Sequence, residues 1–132
     1  MLENQQKDGS LNMSEKIYEN KIKAYLKSIG AYFIKTHGDR FSKVGTPDII
    51  ACVNGHFVAL EVKATTGKPS ELQLYHLRNI MLAGGYSAII VPTEGIGKIR
   101  NHIDKNYPNY NNIQVIDFEK FKKDVESLLT SH

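Results

Sequence analysis

The chain contains one cysteine, no tryptophan and no long run of apolar residues. The single cysteine, Cys52, excludes an internal disulfide and any cysteine-rich zinc site, and it suits the reducing cytoplasm, where we expect the protein. The five histidines do not have the spacing of zinc ligands. Because a membrane span needs about 18 consecutive apolar residues, no membrane-spanning helix is predicted. These absences indicate a globular protein whose chemistry uses neither disulfides nor structural zinc.

What the sequence does contain fits one globular domain. Its 132 residues suffice for a single core, and 17 Lys and Arg against 14 Asp and Glu give a net charge of +3. This mild excess of positive charge permits nucleic-acid binding without demonstrating it. The first residues are polar and lack the apolar stretch of a secretory signal. We therefore predict a flexible tail over residues 1–13 and a single domain over residues 14–132.

Apolar periodicity and turn signals predict an alternating series of helices and strands. The first helix, residues 14–29, would be capped by Ser14 and ended by Gly30, and Asp117 would cap the last helix. The order α-β-β-β-α-β-α-β-α predicts an α/β fold with a mixed central β-sheet and helices on both faces. The predicted strands cover residues 31–36, 47–53, 56–63, 86–92 and 113–117, and the two middle helices cover residues 70–83 and 94–106.

The strongest local signal is the Asn54-Gly55 turn between two of these strands, because both residues tolerate positive φ. A two-residue turn pairs residue 53 with residue 56 and, five residues further along each strand, Asp48 with Glu61. Alternation puts Lys63 on the face of these two carboxylates. Apart from His56 near the turn, the remaining residues of both faces are apolar. We therefore expect the hairpin to be buried on both sides, with the charged group where its strands open.

The predicted charged group has a chemical consequence. Two carboxylates that face each other destabilise a sheet unless something neutralises them. A hard divalent cation does so, because it prefers carboxylate oxygens as ligands. The ammonium group of Lys63 beside such a cation can hold a phosphate or a water molecule. An ion pair on a solvated rim is the alternative, but the shared face and strand end of Asp48, Glu61 and Lys63 favour the metal site.

The order of these residues resembles the signature of the PD-(D/E)XK nucleases. GTPD at residues 45–48 is followed, after twelve residues, by EVK at residues 61–63, and SELQ at residues 70–73 resembles the Ser-x-x-Gln of the VRR-NUC branch. The resemblance covers about residues 15–92. It implies a restriction-endonuclease-like core and Mg²⁺- or Mn²⁺-dependent hydrolysis of DNA phosphodiester bonds. Stand-alone members of this branch are similar to junction resolvases of phages and bacteria, which implies a homodimer acting on four-way or otherwise branched DNA.

The resemblance also implies roles for the residues of the hairpin. Asp48, Glu61 and the backbone carbonyl of Val62 would be metal ligands. Lys63 would be the catalytic lysine that orients or activates the attacking water. In this mechanism a metal-activated water hydrolyses the phosphodiester bond, and the cation neutralises the charge that develops on the phosphate.

Two further site residues are implied outside the hairpin. Gln73 would reach the site from its helix, although Ser70 and Gln73 also have the spacing of a capping box, and both roles could hold. A glutamate on the first helix would act on the metal ion, directly or through water. Glu19 is preferred to Glu15 because it is in phase with the apolar stripe of that helix, whereas Glu15 is a favourable charge in a first helical turn.

Basic residues near the site predict contacts with DNA phosphates. The sequence has no base-reading motif such as a zinc finger, so we expect recognition of DNA structure. A sequence-specific restriction-type duplex endonuclease and a catalytically inactive nucleic-acid-binding subunit are the alternative interpretations. The basic residues predicted to contact DNA are Lys35, His37, Arg40, Lys43 and Lys68.

Overall fold

The structure is a computed structural model that describes residues 13–36 and 44–131. Its elements follow the predicted order, with ends that differ by one to a few residues from those predicted. Short 3-10 turns at Thr93–Gly95 and Pro108–Tyr110 flank the third helix. The helices and strands are α1 (Met13–Ser28), β1 (Tyr32–Lys35), β2 (Ile49–Val53), β3 (His56–Val62), α2 (Glu71–Leu82), β4 (Tyr86–Ile90), α3 (Ile96–Asn106), β5 (Val115–Ile116) and α4 (Phe118–Thr130).

The five strands form one sheet in sequence order, β1-β2-β3-β4-β5. The pairs β1–β2 and β2–β3 are antiparallel, whereas β3–β4 and β4–β5 are parallel, because α2 and α3 cross over the sheet between those strands. Helices α1 and α4 pack on one face of the sheet, and α2 and α3 pack on the other. The predicted mixed α/β fold is therefore confirmed. Within residues 13–36 and 44–131, no helix is long and apolar enough to cross a membrane.

The register of the central hairpin is the one that the turn predicts. Asn54 and Gly55 have φ values of 49° and 82°, as a turn with two left-handed residues requires. Val53 pairs with His56, and the ladder continues to the pair Ile49–Leu60. The next step along each strand leads to Asp48 and Glu61, which are therefore placed at the open end of the hairpin.

Helix caps follow the local sequence at two of three predicted positions. The Ser70 hydroxyl accepts a hydrogen bond from the Gln73 N–H, and the Asp117 carboxylate accepts one from the Lys120 N–H. The prediction for Ser14 was wrong, because α1 already begins at Met13. A serine is also compatible with the first turn of a helix, where the N–H groups have no helical partner.

One face of the hairpin is fully covered, as predicted. Ile49, Val53, Val58, Leu60 and Val62 have no exposed surface and belong to the core formed with α1 and α4. This closed face anchors the strands, since burying one such aliphatic side chain contributes roughly 1.5–3 kcal/mol.

The opposite face of the hairpin was predicted to be buried as well, and this prediction was wrong for β2 and the start of β3; the neighbouring strand β1 is exposed on the same side. Tyr32 is 74% exposed and Phe57 is 49% exposed, and Cys52 between them is also exposed. The reason is the position of the helices, because α2 lies mainly over β4 and the end of β3. We call this uncovered apolar surface the open face; it consists of Tyr32, Ile34, Ile50, Cys52 and Phe57.

Candidate active site

Asp48 lies immediately before β2 and is held through both its backbone and its side chain. Its carbonyl accepts a hydrogen bond of 2.8 Å from the Thr36 N–H, and the Thr36 hydroxyl donates to the Pro47 carbonyl. Its Oδ2 accepts a hydrogen bond of 2.9 Å from the Val62 N–H. The side chain therefore continues the β2–β3 ladder by one step, which fixes Asp48 beside the end of β3. No sequence pattern predicted the contribution of Thr36, because its contacts join the end of β1 to the entry of β2.

Glu61 is the most unusual charged residue of the hairpin, since it is only 2% exposed. Its Oε2 accepts a hydrogen bond of 2.7 Å from the Gln73 side-chain amide and lies 3.4 Å from the Lys63 ammonium. Its Oε1 is buried without a hydrogen-bond partner. Burial, and then the nearby charge of Asp48, raise the pKa of Glu61 to about 8, although Lys63 opposes this rise. A cation at Oε1 would remove the cost of burying this carboxylate.

Lys63 is positioned by the end of the β3–β4 ladder. Its N–H donates a hydrogen bond of 2.9 Å to the Ile90 carbonyl, which extends the parallel pairing one residue beyond β3. Its side chain is largely buried and turns towards Glu61. Val62, whose carbonyl is the expected third metal ligand, lies between these two residues and donates its N–H to Asp48. The structure thus brings all four predicted hairpin residues to one strand end.

Gln73 has both of the roles that the sequence left open. Its backbone N–H and side-chain Oε1 form the reciprocal capping box with Ser70, at 3.2 and 2.9 Å. Its side-chain Nε2 donates to Glu61. The two roles are compatible because the amide uses its oxygen for the helix cap and its nitrogen for the site.

Both glutamates of α1 lie near the carboxylates, in different ways. Glu19 is 3% exposed, as its place on the apolar stripe predicts, and it pairs with Lys23 and Lys35. Glu15 is one helical turn closer to the site. Its pKa is raised mainly by burial, opposed by the charge of Lys63, raised further by Asp48 and lowered by a hydrogen bond from the Ala64 backbone. Glu19, which the sequence favoured, is thus paired with two lysines in the structure. Glu15 lies beside the site itself, near the charges of Lys63 and Asp48.

The basic residues predicted to contact DNA are only partly described. Lys35 has its ammonium 3.2 Å from Glu19 Oε1 and 3.6 Å from Asp48 Oδ1, so it lies between two carboxylates. Lys68 is exposed in the loop that follows β3. His37, Arg40 and Lys43 lie outside the described residues. Contact of these five residues with DNA stays a prediction, and the ion pairs of Lys35 were not foreseen because they join three separate elements.

Comparisons of this chain with protein-family models, with curated proteins and with solved structures gave no match. The assignment to the PD-(D/E)XK nucleases therefore remains a resemblance that is carried by the residues quoted above. Further support for a nuclease site has to come from the chemistry of these residues.

The donor set at this strand end suits a hard cation. Among residues 13–36 and 44–131, no group of three or more His, Cys, Asp and Glu side chains is arranged to hold a metal ion. The pair Asp48 and Glu61, together with a backbone carbonyl, is nevertheless sufficient for Mg²⁺, which retains several water ligands in proteins. The unpartnered Glu61 Oε1 is the observation that favours this interpretation, because buried polar atoms are normally hydrogen-bonded.

Proposed function

We propose that the protein is a Mg²⁺- or Mn²⁺-dependent endonuclease that hydrolyses phosphodiester bonds in DNA. The observation that carries the proposal is the unpartnered, buried oxygen of Glu61 next to Asp48, with the ammonium of Lys63 beside them. A carboxylate kept in so unfavourable a place is typical of functional sites. The resemblance to the VRR-NUC branch supports the same activity from the order of the motifs.

The residues of the site would divide the reaction between them. Asp48, Glu61 and the Val62 carbonyl would hold the cation. When bound, that cation would supply charge neutralisation and an activated water. Lys63 would donate a hydrogen bond to that water or to a phosphate oxygen. Gln73 would keep Oε2 of Glu61 occupied, so that Oε1 stays free for the cation.

The proposed substrate is branched DNA, such as a four-way junction. Its support is the resemblance, together with the lack of a base-reading motif in the sequence. The test incubates the protein and Mg²⁺ with a linear duplex, a flap and a four-way junction of shared sequence. We expect cleavage of the branched substrates, and we expect Lys63→Ala to lower its rate by about 10²- to 10³-fold. Lys123→Ala is the matched control, because it removes an exposed lysine of α4 that has no part in the site or in the predicted DNA contacts.

Each alternative has its own outcome in this assay. Sequence-dependent cutting of the plain duplex would favour a restriction-type enzyme. DNA binding without cleavage in either Mg²⁺ or Mn²⁺ would favour an inactive binding subunit. Cleavage that is equal for the wild type and for Lys63→Ala would contradict the role of this site.

We further propose that the protein is a homodimer whose interface includes the open face. Monomeric proteins rarely expose contiguous apolar patches above a few hundred Å². Tyr32 is 74% exposed, Phe57 49% and Ile34 48%, so three large apolar side chains of this face are exposed next to one another. Cys52 pairs with both Tyr32 and Phe57, the pair Ile34 and Ile50 extends the same face, and none of the five residues is charged. Because this surface is apolar and uncharged, a second copy of the chain fits it better than the negatively charged phosphate backbone of DNA does.

The dimer is tested by light scattering on DNA-free protein. We expect a mass of twice the 14.9 kDa of one chain. Phe57→Ser should shift the mass towards the monomer. Leu129→Ser changes an exposed apolar residue of α4, 39% exposed and outside the open face, and should leave the mass unchanged. A monomeric wild type would contradict the proposal.

A further inference from the structure

Lys35 occupies a position that the proposed catalytic reaction does not explain. It is the last residue of β1, and its ammonium lies 3.2 Å from Glu19 Oε1 and 3.6 Å from Asp48 Oδ1. Its side chain is only 24% exposed, so most of it is buried beside the site. One ammonium group is thus shared between a buried glutamate and an expected metal ligand.

The two oxygens of Asp48 differ in what they can offer a cation. Oδ2 already accepts the hydrogen bond from the Val62 N–H. Oδ1 is the oxygen that pairs with Lys35, at a distance longer than that of a hydrogen bond. A divalent cation that binds Asp48 through Oδ1 would therefore meet the positive charge of Lys35 within a few ångströms. The binding of the cation and the position of the ammonium are then coupled by repulsion.

Glu19 provides a second place for that ammonium. Its Oε2 pairs with Lys23 at 3.3 Å. Its Oε1 is buried and forms no hydrogen bond, although Lys35 Nζ lies only 3.2 Å away. The distance is short enough for a hydrogen bond, so the geometry between the two groups is what is unfavourable. A small movement of the ammonium towards Glu19 would complete this bond, and it would also increase the distance between Lys35 and Asp48.

We propose that Lys35 is a resident counter-ion of the metal site: it neutralises Asp48 in the metal-free protein and moves fully onto Glu19 when a divalent cation binds. This inference rests on the metal site of the proposed function. It makes Glu19 a positioning residue that acts through Lys35, instead of a group that contacts the ion. It also explains why a carboxylate with two lysine partners is buried on α1, one turn away from Glu15.

The test measures binding of Mn²⁺ alone to the full chain by isothermal titration, without DNA. Lys35→Met removes the competing charge, and we expect it to bind Mn²⁺ about three- to tenfold more tightly than the wild type. Lys23→Met is the matched control, since it removes an equal charge that pairs with Glu19 but not with Asp48 in the structure. It should change the dissociation constant less than twofold. Lys35→Arg keeps the charge and should bind like the wild type.

A double-mutant cycle tests the part assigned to Glu19. Glu19→Gln should weaken Mn²⁺ binding in the wild type, because Lys35 then stays on Asp48. In the Lys35→Met background the same change should have little effect, since Glu19 has no ammonium to receive. Equal effects in the two backgrounds would show that Glu19 acts independently of Lys35, and would overturn its assigned role.

The outcomes separate this inference from the proposed function. Binding by the wild type, with equal or weaker binding by Lys35→Met, overturns the counter-ion and leaves the metal site intact. No binding by any variant overturns both. Thermal unfolding accompanies each titration, and Lys35→Gln serves as a second neutral variant if Lys35→Met does not fold.

Discussion

The two ends of the β2–β3 hairpin differ in how their polar groups are satisfied. At the turn, the Asn54 side-chain amide lies within 3.3 Å of the carbonyl oxygens of Leu128, Leu129 and Ser131, at the end of α4. The His56 ring nitrogen lies 2.9 Å from the Ser131 hydroxyl. The last carbonyls of a helix have no helical partner, so these contacts satisfy groups that would otherwise depend on water.

The open end of the same hairpin is arranged in the opposite way. Glu61 is buried with one oxygen unpartnered, and Asp48 faces it with a second negative charge. Both ends are part of one ladder, so the difference does not arise from the strands. The turn end contributes stability, whereas the open end keeps a buried, unpartnered carboxylate oxygen at a cost in stability, and the proposed cation site accounts for that cost.

The largest effect is expected for Glu61→Gln, which removes the buried charge from the open end of the hairpin. The amide has nearly the same shape without the charge, so we expect the rate of DNA cleavage to fall by about 10²- to 10³-fold. The free energy of unfolding at pH 8 should rise, because a buried carboxylate is replaced by a neutral group. Single-turnover cleavage and thermal unfolding measure the two effects. A variant that is both less active and less stable would show that the Glu61 carboxylate stabilises the fold, which contradicts this prediction.

The pH dependence of stability sharpens the same contrast. The pKa of Glu61 is raised to about 8 in the folded protein, above its ordinary value of 4.5. Its contribution to stability is therefore fully present below pH 4.5 and is lost as the pH rises through 8. Between these limits the metal-free wild type should lose stability steadily relative to Glu61→Gln, by several kcal/mol in all. Denaturant unfolding of both proteins from pH 5 to pH 9 measures this gap, and a constant gap would refute the assignment.

Gln73 belongs to a helix cap and to the site, and a matched pair of variants separates the two. Ser70→Ala and Gln73→Ala both disrupt the capping box and should each cost about 0.5–1 kcal/mol of stability. Only Gln73→Ala also removes the donor to Glu61, so it alone should lower the cleavage rate, by about tenfold. Equal cleavage rates for the two variants would reduce Gln73 to a helix cap.

The smallest expected effect on cleavage is at the turn end. Asn54→Ala removes the amide that serves the end of α4 and places an alanine at a φ of 49°. It should cost about 1–2 kcal/mol of stability. Asn54→Gly keeps the conformational freedom and should cost less, so that the difference between the variants measures the strain. Cleavage well below the melting temperature should stay unchanged, and a large loss of activity would show that the two ends are coupled.

The parts of the site that the sequence predicted are those fixed by short-range geometry. The Asn54-Gly55 turn determines the register, and the register determines that Asp48 lies beside Glu61. The capping box follows from a three-residue spacing, and alternation places Lys63 on the face of Glu61. Each of these features needs no knowledge of how the helices pack.

The features that could not be predicted depend on tertiary placement. Both faces of the hairpin are apolar in sequence, but only the packing of α2 over β3 and β4 shows which surface stays uncovered. Glu15 and Glu19 are one turn apart on α1, and their distances from the site follow from the way this helix crosses the sheet. The ion pairs of Lys35 combine α1, β1 and the entry to β2, which no local pattern relates.

The strand order has a consequence for folding during synthesis. β1, β2 and β3 pair with their immediate neighbours in the chain, and a two-residue turn joins β2 to β3, so these pairings are local and have a low entropic cost. All site residues up to Gln73 leave the ribosome well before the last turn of α4, which meets Asn54 across more than 70 positions of sequence. The open end of the hairpin is thus assembled first, and its turn end is secured last. A nascent chain would accordingly carry the neighbouring carboxylates of Asp48 and Glu61 before the domain around them is complete.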